Sequence, residues 1–130
     1  MRAAVVREFG GPEAIEVVEV ATPEPGPGEV LVEVAGATVN FADVMTRTGL
    51  TVQYGATAVR PQFGLGTDVA GTVAALGEGV TRFAVGDPVL GTQERLDRPL
   101  GTQADYVVLE DWERPPRRME STWCTWPRSG

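Results

Sequence analysis

The chain has 130 residues, a formal net charge of −7, and is 42 % hydrophobic and 22 % charged, which suits one globular domain with its own core. That acidic balance, without a visible cluster of Lys and Arg, excludes a phosphate-binding nucleic-acid surface. The single cysteine, Cys124, excludes an intramolecular disulfide, and the start Met1, Arg2, Ala3, Ala4, Val5, Val6 lacks the apolar run of a signal peptide or membrane span.

Apolar and polar residues alternate roughly over Met1 to Phe9 and Ile15 to Val20, and cleanly over Glu29 to Val34, which predicts half-buried strands. These strands are expected to pair as neighbours. Between them, Thr22 to Gly28 contains Pro23, Pro25 and Pro27; proline donates nothing to a sheet ladder, so an extended connection is expected there.

One helix is predicted next. Asn40 suits the N-cap, Asp43 stands three residues on, where a carboxylate favours a helix N-terminus, and Gly49 suits a left-handed stop. Read locally, Asn40 and Asp43 are a capping pair, and capping signals are far commoner than functional sites.

Further along, Gly66, Thr67, Asp68, Val69, Ala70, Gly71, Thr72 and Val73 are followed by Gly77, Glu78, Gly79, Val80, Phe83, Gly86, Asp87 and Val89. Glycines at these intervals, alternating with β-branched residues and closing on a Gly-Asp turn, predict a mainly β fold of short strands with turns and close strand approaches. With the Asn40 to Asp43 motif, this stretch resembles the catalytic domain of medium-chain dehydrogenases/reductases, in their zinc-free quinone oxidoreductase branch. The resemblance implies a GroES-like, partly open β-barrel with one or two short helices, spanning residues 1–111.

The resemblance also carries chemical implications for individual residues. In zinc-dependent members a cysteine stands where this chain has Asn40, and a Gly-His-Glu where it has Gly66, Thr67 and Asp68; that cysteine and histidine hold a catalytic metal. A chain with no histidine, and no thiol near either motif, offers zinc neither imidazole nor soft ligands, so no catalytic zinc is expected. A structural zinc needs several close cysteines, which one cysteine cannot supply.

Zinc-free relatives reduce quinones or enones with NADPH, whose hydride leaves the protein to orient the reactants and polarise the acceptor. The resemblance implies Asn40 and Asp43 as catalytic residues, Asn40 and Phe41 as contacts to the cofactor, and Phe41, Arg47 and Tyr54 as contacts to a quinone or enone. Each also has an ordinary reading: Phe41 in a core, Arg47 a solvated helix charge, Tyr54 a loop residue.

In this family a doubly wound domain with a glycine-rich phosphate-binding turn comes after the barrel. The pairs Gly10, Gly11 and Gly26, Gly28 open no strand-turn-helix pattern, so neither is a dinucleotide fingerprint, and the Rossmann domain is expected to be absent. From Trp112 the composition shifts to Trp, Arg and Pro and the periodicity vanishes. Shifting the reading frame makes Met119 with Glu120 encode glycine, Trp123 with Cys124 valine and Trp126 with Pro127 alanine. The degenerate junctions then permit a segment like the one by which the family leaves its barrel, so residues 112–130 are read as a frame-shifted tail.

Three readings of function remain open. The chain is the substrate domain of an NADPH-dependent quinone or enone oxidoreductase, inactive alone and doubtful as an NADPH binder by itself. Alternatively it is a stand-alone small-molecule binding module or non-redox catalyst, or a structural, co-chaperonin-like barrel, an idea resting on fold likeness alone. The barrel face that a cofactor domain would cover is expected to drive self-association, and a cytoplasmic location without nucleic-acid or membrane partners fits the composition.

Overall fold

The computed structural model describes residues 1–93, 99–110 and 117–118. The strands are β1 (Arg2–Val6), β2 (Ile15–Glu19), β3 (Glu29–Ala37), β4 (Phe63–Gly64), β5 (Asp68–Leu76), β6 (Pro88–Thr92), β7 (Tyr106–Glu110) and β8 (Arg117–Arg118). Two helices, α1 (Phe41–Thr48) and α2 (Leu50–Gln53), lie between β3 and β4.

The strands form two sheets, ordered β2-β1-β4 and β7-β3-β5-β6-β8, with antiparallel pairing throughout. The fold is mainly β, as the residue pattern predicts, with two short helices where the pattern marks one and the resemblance implies one or two. The two sheets are not closed into a barrel: among the described residues β1 meets the segment leading into β7 through an isolated bridge from Ala3 to Ala104 and neighbouring bonds such as Ala4 N–H to Gln103 O at 2.9 Å.

The neighbour pairing expected for the first three strands holds for β1 with β2, where Ala4 faces Val17, and fails for β3. β3 sits between β5 and β7 in the other sheet. The proline connection explains the difference, because an extended segment that cannot join a ladder carries the chain from one sheet to the next.

One buried cluster lies on one face of the larger sheet, while Leu31 and Val108 on its other face and Val5, Val6 and Phe63 in the smaller sheet are buried as well. Val30 and Val32 of β3, Val69 and Val73 of β5, Val89 of β6, and Val107 and Leu109 of β7 pack with Val80 and Phe83 of the β5–β6 connection. Alternation along β5 places Val69, Gly71 and Val73 on the buried side. Removing such side chains from water stabilises the fold by about 1.5–3 kcal/mol each.

Two register shifts in the β3–β5 ladder position the site. One falls between Val34 and Gly36, just before Thr38 and Asn40, and such bulges bend a strand and re-aim the residues beyond it. Gly71 lies opposite Val34, and a Cβ there would run into the Glu33 carbonyl oxygen, so this crossing requires glycine.

The reading of residues 112–130 as a frame-shifted tail falls outside the described residues, except for Arg117 and Arg118, which pair with Leu90 and Val89.

Candidate functional site

Helix α1 begins as its sequence predicts. Asn40 has extended backbone, its Oδ1 accepts the Ala42 N–H at 3.0 Å, and Asp43 Oδ2 accepts the Asn40 N–H at 2.9 Å, a reciprocal capping box. Gly49 ends the helix at φ 87°, a left-handed conformation that glycine adopts without strain. Because the Asn40 Oδ1 is used within the cap, the amide is oriented and its Nδ2 points away from the helix backbone.

That Nδ2 donates to Thr67 Oγ1 at 3.0 Å. The other partner of the cap also leaves the helix: Asp43 Oδ1 accepts the Gly66 N–H at 2.7 Å. Asp43 is buried, and Gln103 Nε2 approaches its Oδ2 at 3.4 Å. Two further bonds reinforce the strap, Thr38 Oγ1 to Asp68 Oδ2 at 3.1 Å and Thr102 Oγ1 to the Asp68 carbonyl at 2.9 Å. The end of β3, the start of α1 and residues 66–68 are thereby tied together by side chains.

Asn40 and Asp43, read as a catalytic pair, are therefore adjacent and bonded to each other, but differ in exposure and remaining capacity. Each Asp43 oxygen already accepts from the protein, and no cation pairs with it among the described residues. Asn40 is half-buried, and an amide with one N–H on Thr67 retains a second donor.

Phe41 stands at the first position of α1 and is 71 % exposed, beside Asn40 in the chain and outside the core. Tyr54 comes directly after α2 and is 73 % exposed, with no packing role. Arg47 is engaged elsewhere: its Nη1 donates to the Gly10 carbonyl at 2.8 Å, while the Gly10 N–H donates to the Arg47 carbonyl at 3.0 Å, which fastens α1 to the turn after β1. The structure thus joins Asn40, Asp43 and Thr67 directly and gives Arg47 a tethering contact away from them.

Gln103 and Thr38 were not legible as members of this cluster. Gln103 is separated from Asp43 by 60 residues, and a glutamine in a loop carries no local signal of such a contact.

Outside the cluster, the Arg2 N–H donates to Asp105 Oδ2 at 2.7 Å and the Arg2 guanidinium approaches Oδ1 at 3.4 Å. The backbone bond is the main cause that holds the Asp105 carboxyl below the usual carboxylate range, with the guanidinium adding to it against a smaller opposing effect of desolvation.

The donor chemistry bears on which groups fit. The positions that the resemblance aligns with a zinc-binding cysteine and histidine hold an amide and a hydroxyl bonded to each other, and among the described residues no three His, Cys, Asp or Glu side chains gather to hold a metal. This donor set does not fit zinc. Asn40 keeps a spare amide N–H, and Phe41, the next residue in the chain, has an exposed ring. For a pyrophosphate, Gly11 precedes only the three-residue turn Pro12–Ala14 and the Gly26, Gly28 pair leads into β3, so neither glycine pair opens a helix N-terminus of the phosphate-binding kind.

Residues 26–114 match the model of the alcohol dehydrogenase GroES-like domain. The chain belongs to this family. It is a quinone oxidoreductase-like member of the medium-chain dehydrogenases/reductases: it is 39 % identical over 103 residues to a quinone oxidoreductase of Pseudomonas aeruginosa, covering 79 % of this chain and 29 % of that protein. The Escherichia coli quinone oxidoreductase, solved as a complex with NADPH, superimposes with a TM-score of 0.78 at 28 % identity, covering 94 % of this chain and 34 % of that one. A phthioceranic/hydroxyphthioceranic acid synthase of Mycobacterium bovis is 42 % identical over 105 residues, covering 81 % of this chain and 4 % of the synthase. The chain thus spans less than a third of the length of the Pseudomonas quinone oxidoreductase it matches. No helix among the described residues is long and apolar enough to cross a membrane.

Proposed function

We propose that residues 1–111 are the substrate-side domain of an NADPH-dependent oxidoreductase acting on quinones or enones, and that this chain alone does not turn over. The observation that carries the reading is the Asn40 amide, held by the α1 cap and by Thr67 with one N–H left to donate, beside the exposed Phe41 ring. Asn40 and Phe41 would meet the nicotinamide end of NADPH, which when bound would supply the hydride. The chain's own residues orient and polarise the acceptor.

A quinone or enone gains negative charge on its oxygen as it is reduced, so a fixed N–H donor aimed at that oxygen stabilises the product-like state more than the reactant. Asn40 is the donor, and its fixed orientation spares the reaction a reorganisation cost. Phe41 and Tyr54 offer exposed rings for a flat acceptor to stack on. Asp43, with both oxygens engaged, acts through the position it gives to Asn40 and Gly66. Arg47 keeps α1 seated through the Gly10 carbonyl, and its role as a contact to the acceptor rests on the family resemblance alone. The donor set supports a reaction without zinc, and inactivity in isolation is supported by the glycine pairs, neither of which opens a phosphate-binding helix N-terminus.

The test is NADPH consumption by the purified chain with duroquinone as acceptor, beside duroquinone titration of the chain and of Asn40→Ala. The proposal expects saturable quinone binding weakened by Asn40→Ala and no NADPH consumption. Quinone binding indifferent to Asn40, or steady turnover by the chain alone, contradicts it.

A further inference from the structure

We propose that Gln103 is a positioning residue of this site: by bridging the Thr38 carbonyl and the Asp43 carboxylate, it fixes the carboxylate that holds Asn40 and Gly66 in place. The inference rests on the reading of Asn40 as the group that meets the acceptor.

The geometry is specific. Gln103 Nε2 donates to the Thr38 carbonyl at 3.2 Å and to Asp43 Oδ2 at 3.4 Å. Both neighbours are acceptors only, so the amino end of the amide must face them and both its N–H groups are used. The Gln103 backbone is anchored as firmly: its N–H donates to the Leu65 carbonyl at 2.9 Å and its carbonyl accepts the Ala4 N–H at 2.9 Å. Residue 103 is thus pinned to β1 and to the segment before Gly66, and its side chain spans to the end of β3 and the start of α1.

Chemistry makes this bridge matter. Asp43 is a buried carboxylate with no cation beside it among the described residues, so neutral donors alone must offset its desolvation. The Asn40 N–H and Gly66 N–H belong to two segments that must keep register for the Asn40 to Thr67 bond to form. Gln103 contributes the third donor, and it is the one that comes from outside both segments. Without it the carboxylate keeps its two backbone donors but loses the side chain that limits its rotation. A freer Asp43 then loosens Asn40.

The experiment measures amide hydrogen exchange by NMR on the full chain and on Gln103→Met, which keeps the side-chain length and removes both donors. Exchange at the Asn40 and Gly66 amides is expected to rise about fivefold, the effect of losing one ordinary hydrogen bond, while Val107 in the core is unchanged. The affinity for duroquinone is expected to fall by a similar factor. Gln103→Glu adds a readout that simple destabilisation would not move: protection at Asn40 and Gly66 returns at acid pH, where the new carboxyl carries a proton to donate, and disappears near neutrality. Should the methionine variant not fold, Gln103→Asn, one methylene too short to span, takes its place.

Unchanged exchange at Asn40 and Gly66, a uniform rise that includes Val107, or unaltered duroquinone affinity overturns the proposal. A wild-type chain that does not bind duroquinone instead defeats the function proposed above, and the exchange data still decide what Gln103 holds in place.

Discussion

Asn40 Nδ2 donates a 3.0 Å hydrogen bond to Thr67 Oγ1 across 27 residues of sequence. Two positions that the family resemblance assigns to metal ligands in zinc-dependent relatives are joined in this chain by an amide and a hydroxyl. The bond closes one side of the site with neutral groups and leaves the amide a further N–H, on which the proposed polarising role depends.

Asp43→Asn tests the buried carboxylate. An amide of the same shape has one acceptor oxygen where the carboxylate has two, so either the Asn40 or the Gly66 N–H loses its partner. The expected cost is about 1–3 kcal/mol, the range for a buried donor left without its partner. Thermal unfolding checks it. A midpoint within a degree or so of wild type would show that the carboxylate does not hold the strap.

Two glycines separate steric need from backbone conformation. A Cβ on Gly71 would meet the Glu33 carbonyl oxygen, whereas Gly55, at φ 73°, has open space around its Cβ position. Gly55→Ala is expected to cost only the left-handed backbone penalty, about 1–2 kcal/mol. Gly71→Ala must move a strand and is expected to cost about 3 kcal/mol, at the upper end of overpacking effects, with loss of β3–β5 protection. Denaturant midpoints rank the two, and equal midpoints would contradict the close approach.

Asp105 makes stability depend on acid. Its carboxyl titrates lower in the folded chain because the Arg2 N–H and guanidinium favour the charged form. A depressed folded value contributes stability above the unfolded value, about 3.9, and that contribution disappears as pH falls through the folded value. The difference in melting midpoint between wild type and Asp105→Asn is therefore expected to be largest near neutrality and to vanish in strong acid. A difference that grows on acidification would reverse the assigned sign.

Val39 and Phe41, which flank Asn40 in the chain, are 79 % and 71 % exposed, and exposed apolar side chains favour association where a partner can cover them. Sedimentation velocity is expected to show concentration-dependent self-association that Val39→Ser with Phe41→Ser reduces. A monomer at all concentrations would count against the proposal of self-association.

Much of this was legible because it is local. The alternation over Glu29 to Val34 marks β3, and Asn40, Asp43 and Gly49 mark both ends of α1, since each acts within a turn or two of itself. Pairing was less legible. β3 leaves β2 for partners more than thirty residues away, a choice made by packing of Val30 and Val32 that no local pattern carries. The site divides in the same way. Asn40 and Asp43 are visible as a cap, whereas their second bonds, to Thr67 and Gly66, depend on the tertiary strap. Arg47, read as a cleft residue, has its guanidinium on the Gly10 carbonyl, a contact set by how α1 docks on the turn after β1.

The proposed function requires that the surface presented by Asn40 and Phe41 receive the acceptor. The most direct measurement is an NMR titration of the isotope-labelled chain with duroquinone, read at assigned amide and side-chain resonances. Saturable shifts confined to the Asn40 side-chain amide, Phe41 and Tyr54 are expected, with a weaker response after Asn40→Ala. Shifts centred on β2 or β6 with Asn40 silent, or no saturable shifts at all, would contradict it.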